Sequence, residues 1–419
     1  MTQSLSFGAA TRERLTIVSG SNGGKVARRG PRGPRIEDIL QRPEIPIDAR
    51  ETREIAGGKT VLVTGAGGSI GSELCRHLAS ADPRKLLLLD KSENSLFYAN
   101  LEATERLGPA RAKPFLADLL DRDSIRKILR SECPEIVFHA AAHKHVSMLE
   151  LHPQEAIRNN VLGTRNIAEA AIECGVGRFV NISTDKSVDP RNYMGLSKKV
   201  TELCIQDLAR EAATHGERPG HTRLSNVRFG NVAGTTGSVL RLFWDQIQKG
   251  GPLRVTDPRA TRYFMSAREA VHLILRAAAL GRGGETFVFD MGEPLNIYEL
   301  AKTMLQIAGF KPDSGFGVEF TGLRKGEKLT EELWEEWEHP ASTGSGRVLV
   351  IRETSRRARG ILARIRRMEE FLAHGDNEGL LRYVLAIFPE FEGNRDSAAD
   401  CVAPAAAPEV AAMTSMGAA

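Results

Sequence analysis

Ser183, Thr184, Asp185 and Lys186 close the apolar run RFVNI and place a hydroxyl, an acid and a base in one tetrapeptide. Such a set can take, hold and return protons at a bound hydroxyl or an acidified carbon. Downstream, in NYMGLSKK, Lys198 follows Met194 by four residues and Tyr193 by five. Alcohol oxidation commonly uses a tyrosine one helical turn before such a lysine. Residues four apart share a helix face, whereas residues five apart differ by roughly 140° in direction. Met194 therefore stacks on Lys198, and Tyr193 cannot substitute for it. A thioether exchanges no proton, so the missing acceptor has to be sought upstream. Lys198 itself can bind a ribose and raise the local positive potential. Its neighbour Lys199 reads as a solvated helix lysine.

A second chemical signal is VLVTGAGGSIGSELCRHL, with Gly65, Gly68 and Gly71 between an apolar strand and a helix. The first glycine permits a tight turn, the second lets backbone approach a pyrophosphate, and the third allows close helix packing. The helix N-terminus attracts the anion. The next strand, KLLLLD, ends in Asp90, 25 residues after Gly65. Its carboxylate suits ribose hydroxyls and repels a 2′-phosphate, which favours NAD over NADP despite Lys91 alongside. Asp118, after KPFLA, is placed for the adenine edge or as the N-cap of DRDSIRKIL.

These residues need a scaffold. From Lys59 short β-rich runs (TVLVT, KLLLLD, KPFLA, EIVFHAA, RFVNIS, RLSNVRF) alternate with longer amphipathic segments, including a long helix near 153–174 and another near 194–213. That alternation predicts an α/β fold: a Rossmann-type doubly wound parallel sheet with helices on both faces, here 59–230. Ligands in such sheets lie over the carboxyl ends of the strands, where Ser183–Lys186 falls. Residues 231–390, with a strand at ETFVFD and helices at NIYELAKTMLQIAG and in 363–387, form a smaller C-terminal substrate-binding lobe, some elements returning to the sheet. Segment 1–34 is Gly/Arg/Ser-rich and expected to be disordered, 35–58 is a connector arm broken by Pro43 and Pro46, and the tail 391–419 is expected to be unstructured.

The bulk composition excludes several classes. The chain has 419 residues, a formal charge of +4, and much of its excess base near the N-terminus, so no nucleic-acid partner is inferred. Its longest apolar runs fall short of the roughly 18 residues that suggest a membrane span, and no signal-peptide core opens the chain. A cytoplasmic protein with no transmembrane segment is expected. Five scattered cysteines without a CxxC pair argue against a metal site or a disulfide framework and read as buried hydrophobes.

Several stretches, in order, resemble the extended short-chain dehydrogenase/reductases: TGAGGSIGSE, LLLLDKSEN, HAAAHKHVSMLE, NNVLGT, ISTDK, MGLSKK, VRFGNVAGTTGSV, TRYFMS and LRKGEKLTEEL. Within that family they are similar to the polysaccharide-biosynthesis UDP-N-acetylglucosamine 4,6-dehydratases, over about Arg35 to Pro389. That subgroup carries Met where others have tyrosine, so Met194 is the aligned position. Two departures stand out. His143 replaces the usual tyrosine of HAAAYKHV, and the transmembrane region that usually precedes this domain does not appear before the connector, which suggests a soluble form.

The resemblance implies tightly bound, recycled NAD, with Ser69, Ile70, Ser92, Leu119, Ala140, Ala141 and Ala142 joining the glycines, Asp90, Lys91, Asp118 and Lys198 as cofactor contacts. It implies a UDP-linked N-acetylhexosamine substrate and a homo-oligomer. Asn231 is a candidate for the diphosphate, Arg262 and Arg324 for phosphate oxygens, and Glu327 for ribose hydroxyls. Ser238, Lys144 and His145 are further candidates for substrate contact. Such an enzyme oxidises C4, which acidifies the C5 proton, eliminates water across C5 and C6, and returns the hydride to C6. The resemblance assigns Lys186 as C5 base and Asp185 as its acid/base partner. A nearby positive charge would lower the Lys186 pKa, which Asp185 partly offsets. Asp185, with Thr184 orienting the sugar, is the candidate acceptor of the C4 hydroxyl proton. A UDP-N-acetylhexosamine 4-epimerase, which needs no C5 base, and a non-catalytic dinucleotide sensor are the competing readings.

Overall fold

A computed structural model describes residues 39, 40, 44, 48–214, 221–235, 237–310, 317–352 and 355–391. The segments expected to be disordered at 1–34 and 391–419, apart from Phe391, which is described and buried, and much of the connector lie outside the described residues.

From helix α1 (Ala49–Ala56) the chain alternates through β1 (Thr60–Thr64), α2 (Ser69–Ser80), β2 (Lys85–Asp90), α3 (Glu93–Leu107), β3 (Ala112–Leu116), α4 (Arg122–Glu132) and β4 (Ile136–His139). Short helices α5 (Val146–Leu151) and α6 (Pro153–Glu155) lead through a π-helical stretch, Ala156–Leu162, into α7 (Gly163–Glu173). The long helix expected near 153–174 is thus divided. Then come β5 (Arg178–Ile182), a 3₁₀ turn at Asp185–Ser187, α8 (Tyr193–Thr214) and β6 (Arg223–Arg228).

The second part contains β7 (Asn231–Val232), α9 (Val239–Gln248), β8 (Leu253–Val255), β9 (Thr261–Arg262), β10 (Phe264–Met265), α10 (Ala267–Leu280), β11 (Thr286–Phe289) and β12 (Leu295–Asn296). It continues with α11 (Ile297–Ile307), β13 (Val318–Phe320), β14 (Ala341–Ser342), β15 (Val348–Ile351), α12 (Ile361–Ala373) and α13 (Asn377–Ile387).

Nine strands form one sheet in the order β14-β15-β11-β6-β5-β4-β1-β2-β3. The seven strands from β11 to β3 pair in parallel. The expectation of a parallel sheet stops at one edge, where β15 runs antiparallel to β11 and β14 antiparallel to β15. Parallel strands covered on both faces read as continuous apolar runs, and β1 and β4 are buried throughout. One face packs α2, α3 and α10; the other packs α4, α7, α8, α12 and α13. The smaller lobe has its own core, built on Phe243, Phe264, Leu300 and Met304. Strand order reverses at β1, between β2 and β4, so the ligand crevice opens over the ends of β1 and β4.

Candidate active site

Gly65, directly after β1, has φ +67°, and a Cβ there would lie 2.7 Å from the Ala141 backbone. The HAAAH segment after β4 therefore presses on the glycine turn, and Ala140 N–H donates to Thr64 O (3.0 Å). A Cβ on Gly71 would sit 2.0 Å from Gly65 O, which is the close approach the third glycine was expected to allow. Gly68 is the N-cap of α2 and supplies no side-chain cap, so the positive end of the helix dipole faces the crevice without a side-chain acceptor from its N-cap. Ser69 and Ile70 form the first turn of α2.

Asp90 stands at the end of β2, where Oδ2 accepts from Gly67 N–H and Oδ1 from Ser92 N–H, both at 2.9 Å. It locks the glycine turn while each oxygen keeps a second lone pair. Ser92 caps α3, and exposed Lys91 donates to Asn159 Oδ1 (2.7 Å). Of the two readings of Asp118, the cap is excluded: Asp121 caps α4 through Ser124 N–H (3.0 Å). Asp118 stays on the loop after β3, accepting from Leu120 N–H, beside buried Leu119.

The crevice floor holds residues the sequence did not single out. His139 is buried, with Nδ1 2.7 Å from Thr64 Oγ1 and Nε2 2.9 Å from Thr164 Oγ1, and burial lowers its pKa to about 3. This neutral ring ties the ends of β1 and β4 to α7. Asn160, in the π-helical stretch, accepts from His143 N–H (2.8 Å) and donates to His143 O (3.0 Å) and Ser197 Oγ (2.9 Å). His143 thus enters the site through its backbone, held against α8.

Tyr193 is buried against Phe391, ring centroids 5.2 Å apart, and its N–H is capped by Glu150. Met194 is buried in the same core. Lys198, one turn later, is 5% exposed and makes no hydrogen bond or ion pair through Nζ among the described residues. Burial lowers its pKa to about 8, Glu202 only partly offsetting the effect. Lys199 corrects the sequence expectation: it is buried and paired with Glu335 (2.6 Å). Among the cysteines, Cys133 departs from the expectation, being exposed at the end of α4.

Asp185 is fully inaccessible, and its Oδ1 accepts from Thr184 Oγ1 (2.8 Å) and Lys186 Nζ (3.0 Å). Its Oδ2 has no hydrogen-bond partner among the described residues. Lys186 Nζ also donates to Asn231 Oδ1 (3.2 Å) and lies 3.5 Å from Glu331 Oε1. Burial opposes the Lys186 charge, but Asp185 and Glu331 outweigh it, so its pKa is raised. The offset by Asp185 read from the sequence is thus joined by a second anion, Glu331, which the sequence did not place there.

Beneath this turn, Glu202 of α8 accepts from Ser183 Oγ (2.6 Å) and Ser187 Oγ (2.7 Å) and pairs with buried Arg228 (2.7 Å). Arg228 in turn binds Glu338 (2.7 Å). The acid and base are thus set on a buried ion network of one arginine and two carboxylates.

Arg262 is buried, with its guanidinium directed to Thr261 O, Leu329 O and Glu327 (2.8 Å) and its Nε 3.7 Å from Glu331. It organises the LRKGEK loop. Arg324 is exposed on that loop, and Gly326 O accepts from Asn192 Nδ2 (2.9 Å), docking the loop on the start of α8. Asn231, the candidate for the diphosphate, accepts from Lys186 Nζ through its Oδ1. Among the described residues Ser238 Oγ, buried at the start of α9, has no partner, and a Cβ on adjacent Gly237 would lie 2.6 Å from His145 Cε1. The His145 and Ser238 segments therefore meet; Lys144, next to His145, is exposed.

A family model described as polysaccharide biosynthesis protein matches residues 61–353. The chain belongs to this family. The family match and the structural neighbours together place it in the extended short-chain dehydrogenase/reductase group, with which the sheet and glycine turn agree. The chain is 47% identical over 308 residues to the capsular polysaccharide biosynthesis protein CapD of Staphylococcus aureus, an overlap of 73% of this chain and 50% of that one. It spans about half the length of that relative. It is 36% identical to the UDP-glucose 4-epimerase of Rickettsia akari, over 66% of this chain and 77% of that one. Among solved structures, a double mutant of the dTDP-glucose 4,6-dehydratase DesIV of Streptomyces venezuelae, with NAD bound, superposes with a TM-score of 0.57 at 25% identity, covering 65% of this chain and 87% of that one. Among the described residues no helix is long and apolar enough to cross a membrane.

Proposed function

We propose that the chain is an NAD-dependent 4,6-dehydratase of UDP-N-acetylglucosamine, forming a UDP-4-keto-6-deoxy-hexosamine for surface polysaccharide synthesis. The observation that carries this reading is Lys186 against Asp185, with Thr184 on the same carboxylate oxygen, at the carboxyl end of β5. Epimerisation at C4 has no use for such an added base.

The residues present fit a dinucleotide. The uncapped N-terminus of α2 suits the pyrophosphate, Asp90 the adenosine ribose of NAD, and the partnerless Lys198 ammonium the nicotinamide ribose. When bound, NAD supplies a hydride acceptor at C4 and a hydride donor at C6.

The chain's own residues supply the proton chemistry. Asp185 is inaccessible, so Thr184, which is partly exposed, passes the C4 hydroxyl proton to Asp185 Oδ1. Neutralising Asp185 removes the larger anionic support for Lys186, and burial then favours its uncharged form. Neutral Lys186 takes the C5 proton, acidic once C4 is a carbonyl. Asp185 returns its proton through Thr184 to the departing 6-hydroxyl, and Lys186 returns its own to C5. One water has left, Asp185 is a carboxylate again, and Lys186, neutral after returning the C5 proton, takes back the ammonium proton it gave up before the C5 step.

The test is incubation of the protein with UDP-N-acetylglucosamine and mass and NMR analysis of the nucleotide sugar. Dehydration lowers the mass by one water. An unchanged mass with inversion at C4 would instead support the epimerase reading that the Rickettsia likeness favours.

A further inference from the structure

Glu331 lies in LTEEL, outside the motif positions to which the sequence assigned chemistry, yet it is 5% exposed and 3.5 Å from Lys186 Nζ. Its placement is built rather than incidental. Thr261 and Thr330 form a parallel β-bridge, Thr261 N–H donates to Leu329 O (3.0 Å), and Arg262 donates to the same carbonyl (3.1 Å). These bonds fix the backbone on either side of Leu329 and deliver the carboxylate under Lys186. The charged groups facing the pair are Asp185, Arg262 and Lys328. Burial, more than any neighbour, raises the Glu331 pKa, so this carboxyl holds a proton more readily than an exposed one.

We propose that Glu331 is a positioning residue acting through Lys186, holding the lysine's charge in the resting site and receiving its proton when the C5 step begins. The transfer balances: Nζ loses one proton, Oε1 gains it, and an ion pair becomes a neutral pair. A buried pair favours that exchange once substrate excludes water, because separated charges then lose solvation. The inference rests on the reading of Lys186 as C5 base, and it explains how a lysine held protonated at rest becomes a base without releasing its proton to solvent.

Two measurements test it, one independent of turnover. First, competitive acetylation with acetic anhydride, read by peptide mass spectrometry, reports how much of Lys186 is uncharged in the free protein. Glu331→Gln removes one of two anionic neighbours, so Lys186 reactivity relative to exposed lysines should rise about tenfold or more. Glu331→Asp, which retains the charge at greater distance, should give a smaller rise and decides the matter if the Gln variant does not fold. Unchanged reactivity overturns the proposal. Second, the ratio of wild-type to Glu331→Gln kcat on UDP-N-acetylglucosamine should be about tenfold or more at pH 6.5 and shrink as pH rises, because alkaline solvent replaces the lost acceptor. A loss equal at all pH values, or no loss, overturns it. Absence of dehydration by the wild-type enzyme would refute the proposed activity, and the acetylation result would still decide whether Glu331 controls Lys186.

Discussion

Arg228 and Glu202 face each other at 2.7 Å, both side chains almost completely buried, directly under the turn that carries Asp185 and Lys186. Burial alone would raise the Glu202 pKa, but the Arg228 charge and hydrogen bonds bring it down to about 2. A carboxylate with a depressed folded-state pKa stabilises the fold above its unfolded value and loses that contribution as pH falls through the folded value.

Acid denaturation should therefore contain a component between about pH 4.5 and 2 that Glu202→Gln removes. Breaking one partner of the buried pair should cost about 3–5 kcal/mol at pH 7, read from urea unfolding midpoints. Equal stability of wild type and variant at pH 7 would show that Glu202 does not support the turn.

The proton route predicts a division between two neighbours. Thr184→Val removes the hydroxyl that joins substrate to Asp185 and should slow C4 oxidation about 100-fold in single-turnover NADH absorbance. Asp185→Asn should slow it at least as much, because the final acceptor is gone. Normal C4 oxidation by Asp185→Asn would remove Asp185 from that role.

Lys198 predicts a trade between stability and binding. Its folded pKa, about 8, lies below that of an exposed lysine. The charged form therefore penalises folding below about pH 8, and the penalty fades as pH rises toward 10.5. Lys198→Met should stabilise the NAD-free protein at pH 7 by about 1–3 kcal/mol, less at pH 9.5, and weaken NAD binding about tenfold by calorimetry. A stability change of the opposite sign would contradict the burial argument.

The glycine turn gives a steric prediction. Gly71→Ala places a Cβ against the Gly65 carbonyl and should destabilise by about 2–3 kcal/mol and abolish NAD binding. Gly251→Ala, where no atom lies within 4 Å, should change stability by less than about 0.5 kcal/mol. Melting curves with and without NAD check both.

What the sequence made legible were features written locally. Apolar runs located β1 and β2 to the residue, the glycine spacing located the dinucleotide turn, and helical geometry excluded Tyr193, which the structure buries against Phe391. What stayed hidden depends on chain segments far apart. Glu331 meets Lys186 across 145 positions because the LRKGEK loop folds back onto β9, and Glu338 reaches Arg228 from 110 positions away. His139 and Asn160 read as ordinary strand and helix residues until β1, β4 and α8 converge on them. The net direction of the Lys186 pKa was not legible for the same reason: the sequence shows Asp185 beside it but not Glu331.

The central claim is elimination of water through a C5 proton exchange, and the most direct measurement is turnover of UDP-N-acetylglucosamine in D₂O followed by mass and proton NMR spectra. The account predicts loss of one water and replacement of the C5 proton by deuterium in the same product. A product of unchanged mass, or a dehydrated product retaining its original C5 proton, would contradict it.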